Sequence, residues 1–169
     1  MFPESARVLE LCGGEHPLNP KKWLNADVRW LPQADMIIDL NYPLPIEPNS
    51  FDGIYCRFGV EHVSWRKVRG LINETHRILK PGGKAVFITA NLLAQALKLT
   101  KNTDWNDDLI CMIFGDNDYP ENTHRCGFSP QYAIKLFKEA GYYSVTAEPL
   151  PECNTDMTIT AYKSKAKLT

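Results

Sequence analysis

Two glycines and an acid define the first chemistry this chain can offer. The apolar run Val8–Leu11 stops at Gly13-Gly14, and the next short apolar segment ends in Asp27. A buried strand that stops at glycines lets a ligand reach the backbone where no Cβ intrudes. An acid at the tip of the following strand can accept both hydroxyls of a ribose. Together they read as a nucleoside-binding crevice. Glu10 sits inside the same apolar run, where an unpartnered carboxylate costs on the order of several kcal/mol. The amides of the glycine loop are its nearest expected donors. Asp39 closes a third apolar run and reads either as a ligand acceptor or as the acid that initiates a turn before Asn41.

Histidines are the candidates for proton transfer, because a neutral imidazole can act as a base near pH 7. His62 follows the fourth apolar run, and there a ligand-facing and a purely hydrogen-bonded histidine are equally consistent with the pattern. His124 stands in His124-Arg-Cys-Gly-Phe-Ser129, at the end of a long polar segment. His62 and His124 are therefore the catalytic candidates. His16 reads as a loop residue and His76 as a packed residue inside a helix. The five cysteines are scattered without a C-x-x-C pair, so neither a disulfide framework nor a metal site is expected.

These side chains need elements to hold them. Strands are expected at 6–11, 24–28, 35–39, 51–57, 84–90, 142–148 and 157–163. Proline-rich segments at 16–22 and 42–50 cannot be full helices. A helix is predicted over 64–80: Val68, Leu71, Ile72, Thr75, Ile78 and Leu79 recur at three- and four-residue spacing, and Lys80-Pro-Gly-Gly83 ends it. Residues 92–101 look helical, and 102–126 read as an irregular polar segment. Ser129-Pro130 caps a last helix. Strands alternating with crossovers imply a mostly parallel sheet, closed by a C-terminal antiparallel hairpin. In such sheets ligands bind at the carboxyl ends of the strands.

The chain has 169 residues, 44% of them hydrophobic and 23% charged, which suits one domain over 1–169 with a substantial core. Residues 102–128 are expected to insert on the substrate side. The net charge of -1 argues against nucleic acid as a partner. No stretch approaches the roughly 18 apolar residues of a membrane span, and no apolar leader precedes the first strand, so a cytoplasmic location is expected.

Five ordered motifs resemble the class I, Rossmann-like S-adenosylmethionine-dependent methyltransferases, in particular their small type 11 branch. They are Leu9-Glu-Leu-Cys-Gly-Gly, Asn25-Ala-Asp-Val28, Ala34-Asp-Met-Ile-Ile-Asp-Leu40, Ser50-Phe-Asp-Gly-Ile-Tyr55 with Val60-Glu-His62, and His76-Arg-Ile-Leu-Lys-Pro-Gly-Gly83. The resemblance covers roughly residues 6–163. It implies an α/β fold with a mostly parallel seven-stranded sheet, and S-adenosylmethionine as cofactor. It implies further that Cys12, Gly13 and Gly14 approach the methionine part and that Glu10 supports the loop. Asp27, with Val28 beside it, would take the ribose. Asp39 and Leu40 would take the adenine, and Arg57, Phe58 and Gly59 would flank the sulfonium.

The chain departs from the pattern in three places. Cys12 replaces the usual first glycine, no helix precedes the first strand, and the first crossover helix is reduced to a proline-rich turn. A homodimer or partner chain is then expected to roof the site. The activity implied is methyl transfer to oxygen or nitrogen of a small-molecule, sugar or peptide acceptor. The alternative is a non-catalytic cofactor-binding or scaffold domain working with a partner. A nicotinamide enzyme is poorly matched, since no G-x-G-x-x-G follows the first strand.

Overall fold

The computed structural model describes residues 2–101 and 107–165. The strands are β1 (Val8–Leu11), β2 (Leu24–Asp27), β3 (Met36–Ile37), β4 (Phe51–Arg57), β5 (Leu79–Ala90), β6 (Ser144–Leu150) and β7 (Cys153–Tyr162). The helices are α1 (Val68–Ile78), α2 (Leu92–Leu99), α3 (Asp107–Phe114) and α4 (Pro130–Glu139). All seven strands form one sheet in the order β3-β2-β1-β4-β5-β7-β6. The first five run parallel and β7 pairs antiparallel with both β5 and β6. This is the sheet that the strand pattern anticipates.

Alternation along the strands sorts the side chains. Leu9, Leu11, Ile54, Cys56, Ala85 and Phe87 enter the main core, against the apolar faces of α1 and α4. Phe137 of α4 meets Phe87 edge-on at 5.2 Å. Each fully buried leucine, isoleucine or phenylalanine among them stabilises by about 1.5–3 kcal/mol. Val8 and Tyr55 turn to the other face, where Trp23 packs on Tyr55 at 5.5 Å and Phe2 on Trp23 at 5.5 Å. An aromatic stack therefore covers β1 and β4 where a crossover helix would usually lie.

Several boundaries differ from the pattern. α1 is shorter than expected, and β5 begins at Leu79 rather than after the glycines. Leu79 already pairs with Phe51, and the sheet then bulges before Gly53 pairs with Lys84. The C-terminal strands extend toward each other until Leu150 pairs with Cys153, so the connection shrinks to Pro151-Glu152. Pro149 is tolerated because β6 is an edge strand. The segment expected to be irregular contains α3, while its residues 102–106 lie outside the described ones. Among the described residues no helix is long and apolar enough to cross a membrane.

Candidate functional site

Between β1 and β4 the strand order reverses direction, and the carboxyl ends of the parallel strands open there into a crevice. It holds a cavity of about 280 Å³. Cys12, Gly14, Asp27, Val28, Asp39, Leu40, Phe58 and His62 all line it. Glu10, Gly13, Arg57 and His124 do not.

The loop after β1 is tied to β2. The Cys12 amide donates to the Ala26 carbonyl at 2.7 Å, the Gly13 amide to Asn25 Oδ1 at 3.1 Å, and the Gly14 amide to Asp27 Oδ2 at 3.0 Å. Asp27 is buried, and its Oδ1 also accepts from the Arg29 amide at 2.9 Å. Cys12 has φ +57°, so it adopts the left-handed conformation that the absent glycine would have taken. Its side chain fits because residue 59 has none: a Cβ on Gly59 would lie 2.5 Å from Cys12 Cβ and 2.8 Å from its Sγ.

Opposite this loop, Ile38, Leu40 and Val63 supply apolar surface. Asp39 Oδ1 accepts from the amide and the side-chain nitrogen of Asn41, at 2.8 and 2.9 Å. The turn role is thus real, yet Asp39 Oδ2 keeps no partner among the described residues, and Asp39 still lines the cavity.

Glu10 corrects one expectation. It turns to the Trp23 side of the sheet, as alternation from Leu9 requires, and both its oxygens accept from the Leu18 amide, at 3.0 and 2.9 Å. The glycine-loop amides are not its donors. Burial pushes its carboxyl up, with the amides of Leu18 and Asn19 acting against the rise. Gly13 is held against Asn25, and an added Cβ would sit 2.3 Å from Asn25 Oδ1. Arg57 is exposed, and its guanidinium lies over the Phe58 ring at 5.3 Å.

His62 and His124 come together, with ring centres 5.0 Å apart. His62 Nδ1 lies 3.2 Å from the Thr123 carbonyl. Burial lowers the pKa of both rings, and their proximity lowers that of His124 further. Beside them Glu61 is buried, accepts from Thr89 Oγ1 at 3.0 Å, and is pushed up to about 7 by burial.

Sequence reading missed Arg29, Asn41, Glu121 and Asn122, which line the cavity together with Tyr119 and Arg125, the weaker companions of His124 in the late polar segment. Arg29 stacks on the Tyr119 ring at 4.5 Å, joining the Asp27 side of the cavity to the late polar segment. The prolines and asparagines around Tyr119 signalled a loop; no local signal tells where a loop lands.

Residues 5–87 match the family model described as a methyltransferase domain. Among curated proteins none matches the chain. Solved structures resemble it in fold. An S-adenosylmethionine-dependent methyltransferase from Mesorhizobium loti superposes with a TM-score of 0.70 at 16% identity, over 96% of this chain and 94% of that one. Phosphoethanolamine N-methyltransferase 2 of Haemonchus contortus, in complex with S-adenosyl-L-methionine, gives 0.67 at 12% identity over 98% of this chain. The CurJ carbon methyltransferase gives 0.65 at 16% identity over 98%. The chain spans 50% of the length of each of the last two. The fold is that of the Rossmann-like class I methyltransferases, a family whose cofactor is S-adenosylmethionine.

Proposed function

We propose that this chain, with a methyltransferase domain matched over residues 5–87, transfers methyl groups from S-adenosylmethionine to oxygen or nitrogen of a small-molecule, sugar or peptide acceptor. The observation that carries the reading is the joint placement of Asp27, Gly14 and Asp39 on one cavity at the strand ends.

The donor set suits the cofactor. Asp27 is held by two backbone amides, and a carboxylate offers about four acceptor sites. It keeps capacity for ribose hydroxyls. Asp39 Oδ2, without a partner among the described residues, is left for the adenine amino group, and Ile38, Leu40 and Val63 supply the apolar contact a purine needs. Gly14, with φ +60° and no side chain, commits its amide to Asp27 and leaves its carbonyl to accept from the amino-acid part. When bound, S-adenosylmethionine supplies an electrophilic methyl group. The chain's own task is alignment, which by itself is worth on the order of 7–11 kcal/mol in well-oriented reactions. Phe58 and His62 line the side from which an acceptor would approach. Tyr119, stacked on Arg29, helps exclude water there.

His62 is the better-placed of the two histidines to meet an acceptor; His124 acts on it through ring packing. Tyr119, Glu121 and Arg125 of the chain itself line the cavity, so the reading needs no second chain to form it. The neighbours named above act on carbon and on nitrogen, so fold likeness does not choose this chain's acceptor.

Titration calorimetry with S-adenosylhomocysteine tests the cofactor half. The wild-type chain should bind, and Asp27→Asn should weaken binding by roughly tenfold or more, the loss of a charge-assisted pair. Absence of heat at ligand concentrations on the order of millimolar would sink the reading. Binding without turnover on any acceptor class would instead favour a non-catalytic cofactor-binding module.

A further inference from the structure

Glu61, His62 and His124 each direct one ligand atom at a common space, with all three atoms within 4.8 Å of one another. No hydrogen bond joins any two of these three side chains among the described residues. Three polar groups that converge without bonding one another leave room for a shared partner. We infer that this cluster is a site for one divalent transition-metal ion, open on the side where His62 lines the cavity.

The surroundings fit ligation. His62 Nδ1–H can donate to the Thr123 carbonyl, 3.2 Å away, which fixes the tautomer and leaves the Nε2 lone pair available. Thr89 Oγ1 donates to Glu61 Oε2 at 3.0 Å and orients the carboxylate. The two parts of the site are bound together by backbone. The amides of Arg125 and Cys126 both donate to the Glu61 carbonyl, at 2.8 and 3.1 Å, and the His124 amide donates to the Phe114 carbonyl at 2.9 Å. Such outer contacts are the usual support of metal-binding imidazoles and carboxylates.

Distance and chemistry choose the ion. Three atoms at the corners of a 4.8 Å triangle are about 2.8 Å from its centre, whereas zinc binds nitrogen and oxygen at about 2.0–2.2 Å. Each ligand needs to close by less than about 1 Å. Two imidazoles and one carboxylate select zinc-like or iron-like ions over magnesium or calcium. Three protein ligands leave at least one coordination position, and water or an acceptor oxygen can fill it from the cavity.

The test uses the full chain, stripped with a chelator and titrated with Co²⁺. One equivalent should bind and give the visible absorption of a low-coordinate cobalt site, and Zn²⁺ should displace it. His62→Ala and His124→Ala should each weaken binding by roughly 10–100-fold, while His16→Ala, in an exposed loop, should not change it. Glu61→Gln keeps an acceptor for Thr89 and should weaken binding while circular dichroism stays native. No cobalt spectrum, or a spectrum that survives both histidine substitutions, would overturn the inference. S-adenosylhomocysteine calorimetry on the same stripped protein reads the cofactor site separately, so failure of one reading is distinguishable from failure of the other.

Discussion

At the residue scale, the most informative position is Cys12. A left-handed conformation at a non-glycine residue costs on the order of 1–2 kcal/mol, and the loop nevertheless keeps the amide geometry that aims Gly14 at Asp27. The bulk added at residue 12 is absorbed by the lack of a side chain at Gly59. The two positions should therefore be coupled. Gly59→Ala alone should destabilise by about 1–3 kcal/mol through overpacking against Cys12 and Cys56. Combining it with Cys12→Gly should recover a good part of that loss, a coupling that urea denaturation of the double-mutant cycle measures. Additive effects would show that the two side chains do not compete for one space.

At the element scale, α4 anchors the late segment that supplies Tyr119, Asn122 and Arg125. Ser129 caps the helix by accepting from the Tyr132 amide at 3.3 Å, with Pro130 in the first turn. Just before the cap, the Phe128 carbonyl accepts from the Leu92 amide and bridges the segment to the start of α2. Ser129→Ala should cost about 1 kcal/mol of stability in urea denaturation. If the loss is much below half of that, the cap is not what holds this end of the helix. The cap, its proline and the apolar stripe Ala133, Leu136 and Phe137 are all local features, which is why this helix was legible from sequence. By contrast α3 was hidden, because its apolar stretch sits among aspartates and asparagines that read as loop.

At the scale of the whole molecule, acid stability depends on how the proline-rich 41–50 segment is fastened. Arg77 donates to the carbonyls of Ile46 and Leu44 at 2.7 and 3.0 Å, and Glu74 pairs with Arg77 while accepting from the Leu44 amide at 2.8 Å. The Arg77 hydrogen bond holds the Glu74 carboxyl below its ordinary value of 4.5. A depressed carboxylate stabilises the fold above its unfolded pKa, and that stability is lost as pH falls through the folded pKa. Asp52 is lowered in the same way by Lys80. Glu74 is partly exposed, so its share is about 1 kcal/mol or less after solvent screening. Glu74→Gln should flatten the fall in stability between roughly pH 5 and pH 3, measured by denaturation at each pH. An unchanged slope would place the acid sensitivity elsewhere.

The sequence by itself determined the strands and most helices, because glycine, proline and apolar period act over a few residues. Phe51–Arg57 is the strand that its pattern predicts, and the carboxyl-end acids Asp27 and Asp39 stand at the crevice as their strand positions require. Tertiary structure alone decided which side chains share that crevice. Alternation with respect to the sheet sent Glu10 to the Trp23 face and to the Leu18 amide. Packing brought Tyr119 onto Arg29, and His124 onto His62 beside Glu61, from segments far apart in the chain. A ligand set assembled by loop placement carries no local spacing, so no motif could announce it.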